Sequence, residues 1–171
     1  PLDDFVIVFR DSGIEHDIFK GLKYVKEALQ NINIDRSISL IIIEEGNGFE
    51  NLSNKYNIIK TGWINSEELV NVFSAADVFL MPSLQESFGL MAIEAMACSL
   101  PVIAAEGTAL PEVIGDNIGG LIVRKKDSNA IVQAILTLMN NLELTNQLGL
   151  SARKRVEELY TIEKCITTHK N

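Results

Sequence analysis

Two carboxylates, Glu86 and Glu94, stand eight residues apart in the stretch ESFGLMAIE. Glu94 falls within an amphipathic segment that begins near Phe88, and Glu86 lies in the loop just ahead of it. A helix N-terminus offers unpaired amides and a partial positive charge, which suits a phosphate. Gly89 places no side chain between a ligand and that backbone. Carboxylates repel a bare phosphate at short range, but they accept well from neutral hydroxyls, of which a sugar or a ribose has several. A ligand carrying both parts, a sugar nucleotide, would suit the whole corner. The plainer alternative is that Glu94 faces solvent and Glu86 decorates a loop, as most charged side chains do.

The elements around these residues favour the first reading. Val78 to Met81 is an apolar run, Val102 to Ala105 is another, and the amphipathic segment lies between them. That order is strand, loop, helix, strand, the βαβ crossover of a parallel sheet. It puts Pro82, Ser83, Glu86, Ser87 and Gly89 at the carboxyl end of a parallel strand, where open α/β sheets bind ligands.

ESFGLMAIE, with AADVFLMPS before it and EAMACSLPVIA and LPEVIGDNIGGLIV after it, resembles the E-x7-E region of the group 1 glycosyltransferases. These are retaining, nucleotide-sugar-dependent enzymes of the GT-B fold, and the likeness covers nearly the whole chain as their C-terminal, donor-binding domain. The resemblance implies that Glu94 holds the ribose hydroxyls and Glu86 those of the sugar. Amides from Phe88 to Leu90, with Ser87 beside them, would take the diphosphate. Arg10, after the first strand, and Lys20, in the Lys-Gly pair at the first helix, match the residues that reach the diphosphate in that family. Two cations there would offset the charge that leaves with the nucleotide. The nucleotide base would lie against Thr61-Gly62-Trp63-Ile64, with backbone groups of Gly62 and Ile64 reading its edge. Trp63 either stacks on the base or packs into the protein. Thr108, with Gly107, either touches the donor or serves a turn. No cofactor or metal is implied, only a UDP-, GDP- or ADP-sugar as donor substrate.

The rest of the chain reads as strands and helices in alternation. Phe5 to Phe9 is the first strand, and Phe19, Leu22, Val25, Ala28 and Leu29 recur at helical spacing after it. Ser39 to Ile43 is apolar enough for a strand buried on both faces, and EEGNG after it reads as a turn. Asn57 to Lys60 is a third short strand. Ser66 is the expected N-cap of a helix whose inner face holds Leu69, Val70 and Phe73. Ser99 stands where family members usually carry the glycine that ends the central helix. Leu110 to Ile114 is a short helix with Pro111 in its first turn, and Leu121 to Val123 a sixth strand. Asp127 or Ser128 caps a helix with Ile131, Ile135, Leu138, Met139 and Leu142 on one face, and a last helix runs from about Leu144 to Tyr160. The expected architecture is a doubly wound, Rossmann-like α/β domain with a six-stranded parallel sheet, spanning residues 1–171.

Composition sets the remaining limits. The 171 residues suit one domain, and 47% hydrophobic content supports a core. With 15 Lys and Arg against 23 Asp and Glu, the formal charge of −8 argues against a nucleic-acid partner. No run is long enough to span a bilayer and no signal segment opens the chain, so a cytoplasmic domain is expected. Cys98 and Cys165 lack metal-ligand spacing, His16 reads as an exposed loop histidine, and His169 as part of the chain's tail. Starting at Pro1, the chain reads as a fragment whose expected partner is an N-terminal acceptor domain, which would also supply any attachment to the inner face of a membrane. Two further functions stay open on sequence grounds: a nucleotide-binding module without transfer activity, and a sugar-nucleotide epimerase on the same fold.

Overall fold

The computed structural model of the chain describes residues 4–13, 18–34, 36–162 and 164. His16, Cys165 and His169 lie outside them. Strands β1 (Phe5–Arg10), β2 (Ile38–Ile43), β3 (Asn57–Lys60), β4 (Val78–Met81), β5 (Val102–Ala105) and β6 (Gly120–Val123) form one sheet in the order β3-β2-β1-β4-β5-β6. Every pairing is parallel. Helices α1 (Leu22–Asn31), α2 (Ser66–Ser74), α3 (Leu90–Ala97), α4 (Leu110–Ile114), α5 (Ser128–Asn140) and α6 (Leu142–Leu159) cover the sheet.

Alternation along the strands splits the core in two, because successive side chains point to opposite faces. Phe5, Ile7 and Phe9 of β1 pack with Val25, Ala28 and Leu29 of α1 and with Ile131, Ile135 and Leu138 of α5. Val8, Phe79 and Met81 pack on the other face with Phe73 of α2, Ala92 and Met96 of α3, and Ala152 and Val156 of α6. This is the doubly wound arrangement that the apolar runs anticipate. Among the described residues no helix is long and apolar enough to cross a membrane.

Four local expectations are corrected. Asn65, not Ser66, caps α2: its side chain accepts from the amides of Glu67 and Glu68 while Glu68 reaches back to the Asn65 amide. This reciprocal capping box shifts the helix start by one position. Val70 is exposed, and the inner face is Leu69, Val72 and Phe73, since three- and four-residue steps keep those together and rotate Val70 outward. Leu142 belongs to α6 and is exposed, because α5 ends at Asn140 and Asn141 turns the chain. Of the two caps weighed for α5, Asp127 is the one, accepting from the Ala130 amide at 2.9 Å. Phe19 also falls outside the first helix, in a 3-10 turn (Ile18–Lys20) that precedes it.

Candidate functional site

The strand order reverses between β1 and β4, which opens a crevice at their carboxyl ends. Arg10 is the last residue of β1, and the Lys20 turn and the 82–89 loop close over that crevice. The closure rests on one glycine: a Cβ on Gly21, at φ 72°, would lie 2.2 Å from the Pro82 carbonyl oxygen. The Leu84 amide donates to the Phe19 carbonyl at 2.6 Å, so the two loops are tied backbone to backbone. Farther along, the Ala109 amide donates to the Glu86 carbonyl at 3.1 Å and anchors the loop after β5 to the same corner.

Glu86 and Lys20 meet here. One Glu86 oxygen lies 3.6 Å from Lys20 Nζ. The other accepts from the amides of Ser87, Phe88 and Gly89 at 3.2, 3.5 and 3.3 Å. Three amides of the loop that leads into α3 therefore face the protein's own carboxylate, which the spacing of Glu86 and Gly89 does not reveal. Gly89 begins α3 at φ 86°, and a Cβ there would come within 2.5 Å of the Leu110 side chain. Phe88 and Leu90 are exposed on either side of it, and Phe88 meets Tyr160 edge to face at 6.4 Å.

Arg10 does not stand alone in the crevice. Its Nε and one terminal nitrogen donate to the same Glu44 oxygen at 2.9 and 2.5 Å. Glu44 was not singled out in the sequence, and only its place at the end of β2 could have marked it. Ser83, placed in the 82–89 loop by the sequence but given no role, has a fully buried hydroxyl without a protein partner among the described residues, in a small cavity lined also by Arg10 and Lys20. Glu94 sits on the second turn of α3, half-buried, and burial pushes its carboxyl above the ordinary range. Among the described residues it has no hydrogen-bond or salt-bridge partner. A desolvated carboxylate without a partner accepts a ligand hydroxyl at little further cost.

The loop after β3 forms the far wall. Trp63 is 85% exposed, which settles against core packing. With Arg10, Ile43, Glu44, Ile64, Leu69 and Met91 it lines a cavity of about 130 Å³ that opens beside Ser12 and Glu45. Gly62 stands at φ 67°, and its carbonyl accepts from the Glu44 amide at 3.2 Å and from the Thr61 hydroxyl at 2.8 Å. That carbonyl holds the loop to the end of β2. The Thr108 hydroxyl donates to the Ala105 carbonyl at 3.3 Å and accepts from the Leu110 amide at 3.2 Å, the bonds of a turn. The glycines of EEGNG also prove structural. Buried Asp11 accepts from the amides of Gly13 and Gly48 at 3.0 and 3.3 Å, and a Cβ on Gly46 would collide with its carboxylate.

The sequence profile of the family described as glycosyl transferases group 1 matches residues 12–155. The chain belongs to that family. Among curated relatives, an uncharacterized glycosyltransferase, MJ1178, of Methanocaldococcus jannaschii is 31% identical over 151 residues, which is 86% of this chain and 42% of that protein. The O-antigen chain mannosyltransferase B of Escherichia coli is 36% identical over 109 residues, 62% of this chain and 27% of its own length. The chain thus spans less than half the length of the curated relatives it matches most broadly. Among solved structures, a sucrose-phosphate synthase from Thermosynechococcus elongatus superposes with a TM-score of 0.84 at 29% identity, over 99% of this chain and 45% of that one. Anabaena HepE in complex with UDP shares the fold at a TM-score of 0.83 and 16% identity, over 98% of this chain and 48% of that one.

Proposed function

We propose that this glycosyltransferase domain binds a nucleoside-diphosphate sugar for retaining transfer of a hexose-like sugar to an acceptor, in polysaccharide or glycolipid synthesis. The observation that carries the reading is the convergence of Arg10, Lys20, Glu86 and three loop amides at the strand switch, with partnerless Glu94 on the helix that follows. Lys20 and Arg10 supply positive charge for the diphosphate, and the head of α3 supplies amides. Glu94 accepts from the ribose hydroxyls and Glu86 from those of the sugar. The base lies against Gly62, Trp63 and Ile64, where the exposed indole offers a stacking surface. The naming of an E. coli relative as an O-antigen mannosyltransferase favours a hexose and a polysaccharide acceptor.

In the transfer step, the bond between the anomeric carbon and the diphosphate oxygen breaks. The acceptor oxygen bonds to the same face of that carbon, and its proton passes to the departing diphosphate. The chain's own share is to stabilise the leaving charge, chiefly through Lys20 and Arg10. Binding the acceptor and closing over the donor fall to an N-terminal half of the whole enzyme. A thermal-shift panel of UDP-, GDP- and ADP-sugars tests the reading. A bound donor at a hundred times its dissociation constant stabilises the fold by about 2.7 kcal/mol, and no shift with any of them overturns it.

A further inference from the structure

The carboxylate of Glu86 occupies the amides of the loop that leads into α3, ending at its N-cap Gly89. One oxygen takes the amides of Ser87, Phe88 and Gly89, at 3.2 to 3.5 Å, and the other faces Lys20 at 3.6 Å. On the donor reading a diphosphate takes two of these amides, Phe88 and Gly89, and the same ammonium. We propose that Glu86 is the residue by which this site tells an intact nucleotide sugar from a spent nucleoside diphosphate, because it holds the phosphate seat itself and yields it only to a ligand that offers its carboxylate new donors. The inference rests on the nucleotide-sugar reading and adds to it a role in selectivity and product release.

The two ligands differ in what they give the displaced carboxylate. An intact donor brings sugar hydroxyls, so Glu86 exchanges three amides for hydroxyl donors, and the phosphate bearing the sugar carries one negative charge. A spent nucleotide brings no hydroxyl to that spot. Its terminal phosphate also gains a second ionisation, near pH 6, and becomes a like charge facing Glu86. Displacement then costs hydrogen bonds and adds repulsion. Only the side chain needs to move. The backbone on either side is pinned, by the Ala109 amide on the Glu86 carbonyl at 3.1 Å and by the Leu84 amide on the Phe19 carbonyl at 2.6 Å. Glu86 can therefore swing back to the amides as the nucleotide leaves, without rebuilding the loop.

Titration calorimetry of the wild-type chain, Glu86→Gln and Glu86→Ala against UDP, GDP and ADP and against UDP-glucose, GDP-mannose and ADP-glucose tests this. For the base that binds, the wild type prefers the sugar-bearing form. Both substitutions remove the competing charge and tighten the free diphosphate about tenfold, while the sugar nucleotide weakens, so the preference disappears. Circular dichroism and the melting midpoint establish that each variant is folded. Free diphosphate affinity that is unchanged or weaker in both folded variants overturns the inference alone. Failure of all six ligands to bind the wild type overturns the donor reading and the inference with it.

Discussion

The two ends of α3 solve one problem in opposite ways. Each end turns on a left-handed residue, Gly89 at φ 86° before the helix and Ser99 at φ 60° after it. At the carboxyl end the backbone satisfies itself: the Ser99 amide donates to the Met96 carbonyl at 3.0 Å and the Leu100 amide to Ala95 at 3.1 Å. This is a Schellman closure, with Leu100 buried behind it. At the amino end, three loop amides are satisfied by a side chain that can leave. An end closed by backbone has nothing to offer a ligand, whereas an end closed by a side-chain carboxylate keeps amides that can be exchanged, as the proposed donor site requires.

The largest expected effect breaks the closed end. Gly149 of α6 lies against it, and a Cβ there would stand 2.1 Å from the Ser99 carbonyl oxygen, a backbone atom that cannot step aside. Gly149→Ala should destabilise the fold by about 3 kcal/mol, the upper end for overpacking. Urea denaturation measures it. Nucleotide affinity of the folded fraction should stay at the wild-type value, because the open end is untouched.

A smaller effect, now on binding, is expected at Glu94. Glu94→Ala should cost about 2 kcal/mol with a nucleoside diphosphate, the range for hydrogen bonds to a charged group. Glu86→Ala, in contrast, should weaken only the sugar-bearing form. Calorimetry with both ligands compares them, and equal losses for both ligands in both variants would end the division of labour. Glu94 also carries a pH signature. Burial raises its folded pKa, so the folded protein binds the proton more tightly than the unfolded chain does. Stability then falls as pH rises from the ordinary carboxylate value through the folded one. Glu94→Gln should remove that fall and raise the melting midpoint at neutral pH while weakening nucleotide binding.

Lys20→Ala should cost about 1 kcal/mol with a nucleoside diphosphate and nothing with the nucleoside, since a lost cation matters only where phosphate faces it. Equal losses for the two ligands would make Lys20 a structural partner of Glu86 rather than a phosphate contact.

The contrast between the two ends also explains what the sequence made legible. Apolar runs marked β2, β4 and β5 almost to the residue, because strands buried on both faces admit few polar residues, Ser39 of β2 being the one in these three. Glu86, Gly89 and Glu94 were legible as a group because their spacing fixes them about one helix start. What fills the amides of that start was not, since Glu86 bonding back onto its own loop depends on the loop's path. The Arg10 and Glu44 pair joins residues 34 apart in sequence and exists only through the parallel register of β1 and β2. Trp63 was ambiguous for another reason: its ring suits a core or a ligand equally, and only the turn at Gly62 sends it outward.

The smallest effect sharpens the closed end instead of breaking it. Ser99 holds a left-handed conformation that costs an L-residue about 1–2 kcal/mol and costs glycine almost nothing. Its hydroxyl makes no hydrogen bond among the described residues, so no side-chain interaction offsets that strain. The surrounding backbone imposes it: the Met96 and Ala95 carbonyls fix the turn, and Gly149 presses on the Ser99 carbonyl from α6. Ser99→Gly relieves the strain but enlarges the freedom of the unfolded chain, which returns part of the gain. The net should be a stabilisation of about 0.5–1 kcal/mol, seen as a higher urea midpoint at an unchanged slope. Donor affinity should not move, since α3 ends there by backbone alone and the proposed site lies at its far end. A loss of stability would mean that the Ser99 hydroxyl holds the turn, and a change in donor affinity would mean that the two ends of α3 are coupled.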